Sequence, residues 1–388
     1  SILSVGDFNL SDLNGSNGFV LNGIDSSDFS GRSVASAGDV NGDAFDDIII
    51  GANRADPNGN SSAGESYVVF GQAQGFAAEF NLSNLDGSNG FVLNGIDSYD
   101  LSGVSVSSAG DVNGDGFNDL IIGAYRAERG AGESYVVFGQ AEAFSAQINL
   151  SSLNGNNGFV IKGIDGAVFF NLGDTSGNSV SSAGDINGDG FDDIIIGAYG
   201  ADPNGKSGAG ESYVVFGQAE DFPAQLYLSE LNGNNGFVLN GIDFDDTSGN
   251  SVSGVGDVNG DGFDDIIIGA YRAEPNPSSF GGPAGESYVV FGQAEEFPAQ
   301  FNLSDLNGSN GFVLNGIDRG DLSGISVSSA GDFNGDGFDD IIIGANGADP
   351  DNSVENIFAG ESYVVFGQAA EIPAQFNLSN LNGSNGLV

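Results

Sequence analysis

One segment recurs five times along this chain, and its spacing limits the fold more than any other feature. In its second copy it reads GDVNGDGFNDLIIGA, from Gly110 to Ala124, and its counterparts begin at Gly38, Gly184, Gly256 and Gly331. The first aspartates of the five copies fall at 39, 111, 185, 257 and 332, a period of 72 to 75 residues. An array of this kind stacks or rings equivalent units, each burying its apolar surface against the next. The units run approximately over 9–80, 81–148, 149–226, 227–301 and 302–376. Residues 377–388 start a further copy, and 1–388 reads as a single domain.

Each unit holds four short segments rich in β-branched and aromatic residues and bounded by Gly, Asn, Asp or Ser, the mark of strands. In the second unit these are Phe91 to Asp97, Ser105 to Asp111, Asp119 to Ala124 and Ser134 to Gly139, and no helical period stands beside them. The expected fold is all-β, a β-propeller of four-stranded antiparallel blades, either whole or as part of a larger propeller or array. Small residues in SVSSAG suit a strand beside a crowded axis, and IIIGA, apolar on both faces, suits a strand between two blades. Stacked solenoids have shorter repeats, of roughly 20–45 residues. The chain opens with FNLSDLNGSNGFVLNGID and closes with FNLSNLNGSNGLV. Residues near Phe19 to Asp25 are therefore expected to pair with the last blade and close the ring, since an open edge invites pairing with other chains. The alternatives are a longer array or strand exchange with a neighbouring molecule. Length varies only in two connections, which marks them as surface loops. The larger insertion, Gly166 to Thr175, carries Phe169 and Phe170, expected to tuck against their own blade or to form a contact patch.

The chain has 54 Asp and Glu against 8 Lys and Arg, a formal charge of −46. Such a surface repels nucleic-acid phosphates and anionic lipid, and no apolar run approaches the roughly 20 residues of a spanning helix. Nucleic acid and membrane insertion are set aside. With no Cys and no His, neither a disulfide framework nor a thiolate or imidazole zinc site is available.

Within the recurring segment, oxygen-bearing side chains stand at positions 1, 3, 5 and 9 of D-x-N-x-D-x-F-x-D. The five sets are Asp39, Asn41, Asp43, Phe45 and Asp47; Asp111, Asn113, Asp115, Phe117 and Asp119; Asp185, Asn187, Asp189, Phe191 and Asp193; Asp257, Asn259, Asp261, Phe263 and Asp265; and Asp332, Asn334, Asp336, Phe338 and Asp340. Alternating carboxylate and amide oxygens in a tight turn suit a hard cation, and calcium takes 6–8 oxygens, with the backbone carbonyl of the Phe and a water completing the shell. The competing reading is an ordinary Asx-rich hairpin whose side chains bond their own backbone. An EF-hand would need a Glu at position 12, where this chain has an Ile inside a strand. Ala44 replaces a Gly in the first copy, which is expected to strain it.

SVSSAGDVNGDGFNDLIIGA followed by GESYVVFG resembles the FG-GAP repeat, the blade unit of integrin α-subunit propellers and of many secreted bacterial proteins. The resemblance covers the chain five times over and implies calcium ligands at positions 1, 3, 5 and 9 of every copy, about five ions in all. Phe-Gly of the family is Ser-Gly here, as at Ser102 and Gly103. Gly-Ala-Pro is Gly-Ala-Tyr or Gly-Ala-Asn, as at Tyr125 and Asn53. Integrin propellers usually have seven blades and recognise ligands with a partner subunit, so a particular ligand does not carry over.

The function expected is that of a calcium-stabilised extracellular or cell-surface module for adhesion, matrix or self-assembly, with calcium, other copies of itself, or surface glycans and proteins as partners. It is not expected to be an enzyme, because the prominent acids all belong to the repeat. A glycan-binding, lectin-like propeller is the second reading, with Tyr125, Tyr199 and Tyr271 stacking on sugars or packing between blades; a hydrolase is the third. The Arg319–Gly320–Asp321 tripeptide aligns with SYD and SSD of other copies and reads as coincidence.

Overall fold

Strands buried on both faces organise this molecule. The computed structural model describes residues 9–166, 173–219, 221–275, 282–350, 358–369 and 372–388; Phe169 and Phe170 lie outside these. In the second, third and fourth units the strands Asp119–Ala124, Asp193–Ala198 and Asp265–Ala270 are buried along their whole length. A strand of this kind needs an apolar neighbour on each side, and the repeat supplies one.

Each blade starts at an inner strand of small residues: Ser33–Gly38, Ser105–Gly110, Ser179–Gly184, Ser251–Gly256 and Ser326–Gly331. In the second blade this strand pairs antiparallel with Asp119–Ala124, which pairs with Glu133–Val137, which pairs with the outer strand Gly158–Lys162. The four-stranded antiparallel blade is thus present in every unit. The first four sheets also carry a fifth, short strand that the sequence did not announce: Gln147–Asn149, Gln225–Tyr227, Gln300–Asn302 and Gln375–Asn377 each run parallel to the outer strand of the blade before. In blades two to five the connection from the third to the outer strand therefore latches onto the outer strand of the preceding blade on its way.

The ring does not close as the termini suggested. Val20–Asn22 pairs in parallel with Glu79–Asn81, next to the first blade, and the fifth blade takes its outer strand, Gly386–Leu387, from the C-terminal copy. The reason is one of order: every blade draws its outer strand from the copy that follows it in sequence, so the N-terminal copy is placed before blade one. Phe19 stacks on Phe76 at 4.2 Å, and Leu21 packs against the cluster of Ile50, Tyr67 and Val92. The arc is left open. Val34 of the first inner strand is 68% exposed, whereas its counterpart Val106 is 4% exposed.

The core is not inside the blades but between them. Ile49, Val68 and Phe91 of the first blade pack with Leu120, Ile122 and Tyr135 of the second, and three similar clusters join the later pairs. At the axis the serine hydroxyls of one inner strand accept the backbone N–H of the next: Val106 N–H to Ser33 Oγ at 3.1 Å, Val180 to Ser105 at 3.1 Å, Val252 to Ser179 at 3.0 Å and Val327 to Ser251 at 3.1 Å. Close approach also explains Ser-Gly and Gly-Ala. A Cβ on Gly51 would lie 2.0 Å from the carbonyl oxygen of Gly103 in the next blade, so any side chain there would force the two blades apart.

Buried tyrosines anchor the third strands. Tyr135 donates its hydroxyl to Glu133 Oε2 at 2.8 Å, and Tyr67, Tyr213, Tyr288 and Tyr363 do the same to the Glu two residues before them. At the same end of the blades Asp100, Asp174 and Asp246 are buried. Burial first, and the neighbouring carboxylates second, push each of them up to about 7. Their unfolded-state value is near 4, so between about pH 4 and 7 the folded chain binds more protons than the unfolded one. These groups therefore favour folding at the acid end of that window and cost stability as the pH rises through it. The triple substitution Asp100→Asn, Asp174→Asn and Asp246→Asn should raise the melting temperature progressively more, relative to wild type, from pH 5 to pH 8. A difference that stays constant with pH in paired melts would contradict the assignment.

Candidate metal centre

Inner and second strands of each blade are joined by the acidic hairpin, so all five hairpins lie at one end of the blades. In the second copy Asp111 accepts the N–H of Asp115 on Oδ1 at 3.0 Å and that of Gly116 on Oδ2 at 2.9 Å. Asn113 Oδ1 also accepts from Asp115 N–H at 2.9 Å, and Asp115 Oδ1 accepts from Phe117 N–H at 3.0 Å. Positions 1, 3 and 5 are thereby folded over one tight turn. The same bonds recur in the first, third and fourth copies. In the fifth, Asp332 and Asp336 keep theirs.

Position 9 is different in kind. Asp47, Asp119, Asp193, Asp265 and Asp340 are fully buried at the start of the second strand. Asp119 accepts Val112 N–H at 3.0 Å and Gly139 N–H at 2.9 Å, tying the hairpin to the exit of the third strand. Burial pushes Asp119, Asp193 and Asp265 up to about 8, with the acids at positions 5 and 1 adding to it. Asp47, in the first blade of the arc, reaches only about 6.

The aromatic at position 7 uses its ring between blades. Phe117 lies where a Cβ on Gly42 of the preceding hairpin would be, and Phe191, Phe263 and Phe338 lie likewise over Gly114, Gly188 and Gly260. Phe45, in the first described blade, is 41% exposed. Position 8 carries a role that the ligand pattern conceals. Asn118, Asp192, Asp264 and Asp339 each accept, on the side chain, the N–H of the first Asp of the hairpin before, at 3.0, 2.7, 2.9 and 3.1 Å. Their own N–H groups return to the carbonyl of that residue at 3.1 to 3.4 Å. The hairpins are thus chained from blade to blade. The signal was present, since all five copies have Asp or Asn at this position, but it stands among other acids with a more familiar use.

The donor set fits a hard cation in chemistry and in electrostatics. Every ligand atom on offer is an oxygen, and a carboxylate that accepts two backbone N–H groups still has lone pairs free. Every Lys and Arg of the chain lies at the opposite end of the blades, at Arg32, Arg54, Arg126, Arg129, Lys162, Lys206, Arg272 and Arg319. A buried carboxylate without a counter-charge is costly. The side chains are turned to the backbone, however: among the described residues no three acids are gathered round a single point as they would be about an ion. Both readings of the hairpin, Asx turn and cation loop, use the same residues.

At the other end, Tyr125, Tyr199 and Tyr271 are half-buried. Burial raises Tyr199, and Tyr125 and Tyr271 add to it. The Arg319–Gly320–Asp321 tripeptide is not presented as a free motif: Asp321 is 6% exposed and accepts Asp318 N–H at 2.9 Å.

Blades of four antiparallel strands, packed face to face and each carrying one acidic hairpin at the same end, define a propeller-type repeat protein. The chain belongs to the FG-GAP repeat family, whose model matches residues 30–69, 102–137, 176–215, 248–290 and 323–365, together more than half of its length. It is similar to integrin alpha-5 of Xenopus laevis, 30% identical over 202 residues, covering 47% of this chain and 17% of that protein. Integrin alpha pat-2 of Caenorhabditis elegans is 29% identical over 289 residues, 72% of this chain and 21% of the relative. Integrin alpha-V of Gallus gallus is 28% identical over 259 residues, 63% of this chain and 21% of the relative. The chain spans about a fifth of the length of these curated relatives.

Two outcomes follow from the hairpin geometry. Ala44 has φ +70°, in the left-handed region where its counterparts are glycines with φ from +89° to +93°. Ala44→Gly should stabilise the chain by about 1 kcal/mol, the cost of holding an L-residue there, and Gly116→Ala should destabilise it by as much, both read by denaturant unfolding. Asp192→Ala leaves the Asp111 N–H without its partner and should cost about 1–3 kcal/mol, whereas Asp192→Asn, the residue that copy two uses at Asn118, should be close to neutral. Equal losses in the two would show that the blade-to-blade bond contributes nothing.

Proposed function

We propose that this chain is a calcium-stabilised, extracellular or cell-surface binding module, non-catalytic and used in adhesion or scaffolding. The single observation that carries the reading is the buried aspartate at position 9 of five hairpins, with every cation of the chain at the other end of the blades. Calcium would be held by the side chains at positions 1, 3, 5 and 9, and would supply the missing positive charge. The chain's own residues do the rest: the backbone bonds of Asp119 hold the hairpin on the third strand, and the position-8 side chains pass that order to the next blade. The integrin relatives support an extracellular adhesion setting, and the repetition of near-identical blades suits contacts made several at a time.

Thermal melting in calcium, then in chelator, then in calcium again tests the reading. Chelation should lower the melting temperature and back-titration should restore it, with magnesium much less effective. Asp119→Asn, Asp193→Asn and Asp265→Asn, made together, should shrink the calcium-dependent shift. An identical melting temperature with and without calcium would sink the metal reading.

A further inference from the structure

Building on the binding-module function proposed above, the geometry points to a binding site for an acidic sugar, carboxylated or sulfated, in the cleft between the first and second blades, at the end opposite the acidic hairpins. The cleft encloses about 510 Å³, within the roughly 300–1,000 Å³ of ligand clefts. Its walls include Arg32, Arg54 and Arg126, three of the eight cations in a chain of charge −46, and no lining residue is acidic.

These arginines are not committed elsewhere. Lys162, Lys206, Arg272 and Arg319 each have a carboxylate partner, but no ion pair holds Arg32, Arg54 or Arg126 among the described residues. Arg54 lies over the ring of Phe29 at 4.9 Å and Arg126 over that of Tyr125 at 5.5 Å, which positions each guanidinium without neutralising it. The feature is not a by-product of the repeat. At the corresponding end of the fourth blade the cleft is lined by Asp243, Asp245, Asp246, Glu274 and Glu286, and its Arg272 is paired with Asp245 at 2.8 Å. Arg32 itself stands where the other copies have Val104, Asn178, Asn250 and Ile325.

Charge selects an anion, and the aromatic side chains select a sugar. Tyr99 is 64% and Phe29 55% exposed at the cleft, offering flat apolar surface to the C–H face of a pyranose ring. Asn53 and Ser62 offer hydrogen bonds to hydroxyls. Guanidinium forks match a carboxylate or sulfate group bidentately. A glycan spaces its acids with neutral hydroxyls, so only the group in the cleft need meet charge. An acidic peptide would lay its further carboxylates on a surface that is itself strongly negative, and would be repelled.

The test is calorimetric titration of the full chain in calcium buffer with four probes: 3′-sialyllactose, lactose 3′-sulfate, neutral lactose and an oligoglutamate. At least one acidic sugar should bind, more weakly as salt rises, and the two acidic sugars separate carboxylate from sulfate as the preferred group. Arg54→Ser with Arg126→Ser should weaken that binding at least tenfold, while Arg272→Ser should leave it unchanged. If the double variant fails to fold, Arg54→Lys with Arg126→Lys takes its place, and weaker binding is again expected because an ammonium cannot fork. The site is refuted if neither acidic sugar binds, if the neutral sugar or the oligoglutamate binds as tightly, or if the arginine variants bind as wild type does. Calcium-dependent melting without sugar binding would refute this site and leave the calcium module standing; sugar binding without a calcium effect would do the reverse.

Discussion

No blade of this protein has a core of its own. The second strand of each sheet is apolar on both faces, and only a neighbouring sheet can cover the second face. The apolar contacts Ile49–Val68–Phe91 on one side and Leu120–Ile122–Tyr135 on the other form a single cluster shared by two blades. Burial of apolar area is worth about 25 cal/mol per Å², so most of the stabilisation lies in the seams, and the blade is a folding unit only in company.

The glycines, serines and acids of the repeat are consequences of that seam. Gly51 and Gly103 allow two backbones to meet, and the inner-strand serines satisfy N–H groups that the approach would otherwise leave dry. At the hairpin end, the ring of Phe117 covers Gly42, and Asn118 accepts the N–H of Asp39. The seam is thus apolar in its middle and polar at its ends, which gives each pair of sheets one register and one distance. The acids that remain at that end have no positive charge nearby, and this unbalanced end is the basis on which calcium is proposed there.

The loops at the opposite end are free to vary because the seam contacts there are made by strand-end residues such as Ser33, Gly51 and Gly103 rather than by the loops. The loops between second and third strands, and those leading into each inner strand, change in length and charge from blade to blade. A cleft that is acidic at the fourth blade is arginine-rich between the first and second. Repetition at one end and variation at the other is the division expected of a scaffold that holds a binding surface.

Much of this was legible in the chain. The 72–75 residue period, the four strands of each unit, the burial of IIIGA and the placing of the acidic segment in a hairpin follow from local pattern, because alternation, turn residues and apolar runs act over a few neighbours. What local pattern could not decide was which strand belongs to which sheet. Phe91 to Asn94 stands at the start of one copy in sequence yet completes the preceding blade, the linkers add a fifth parallel strand, and Val20–Asn22 lies beside the first blade rather than the last. Nor could it show that position 8 reaches across to the neighbouring hairpin, or that Arg32, Arg54 and Arg126, up to 94 residues apart, line one cleft. Pairings of this range depend on how whole sheets pack, and packing is a property of surfaces that exist only once the strands have met.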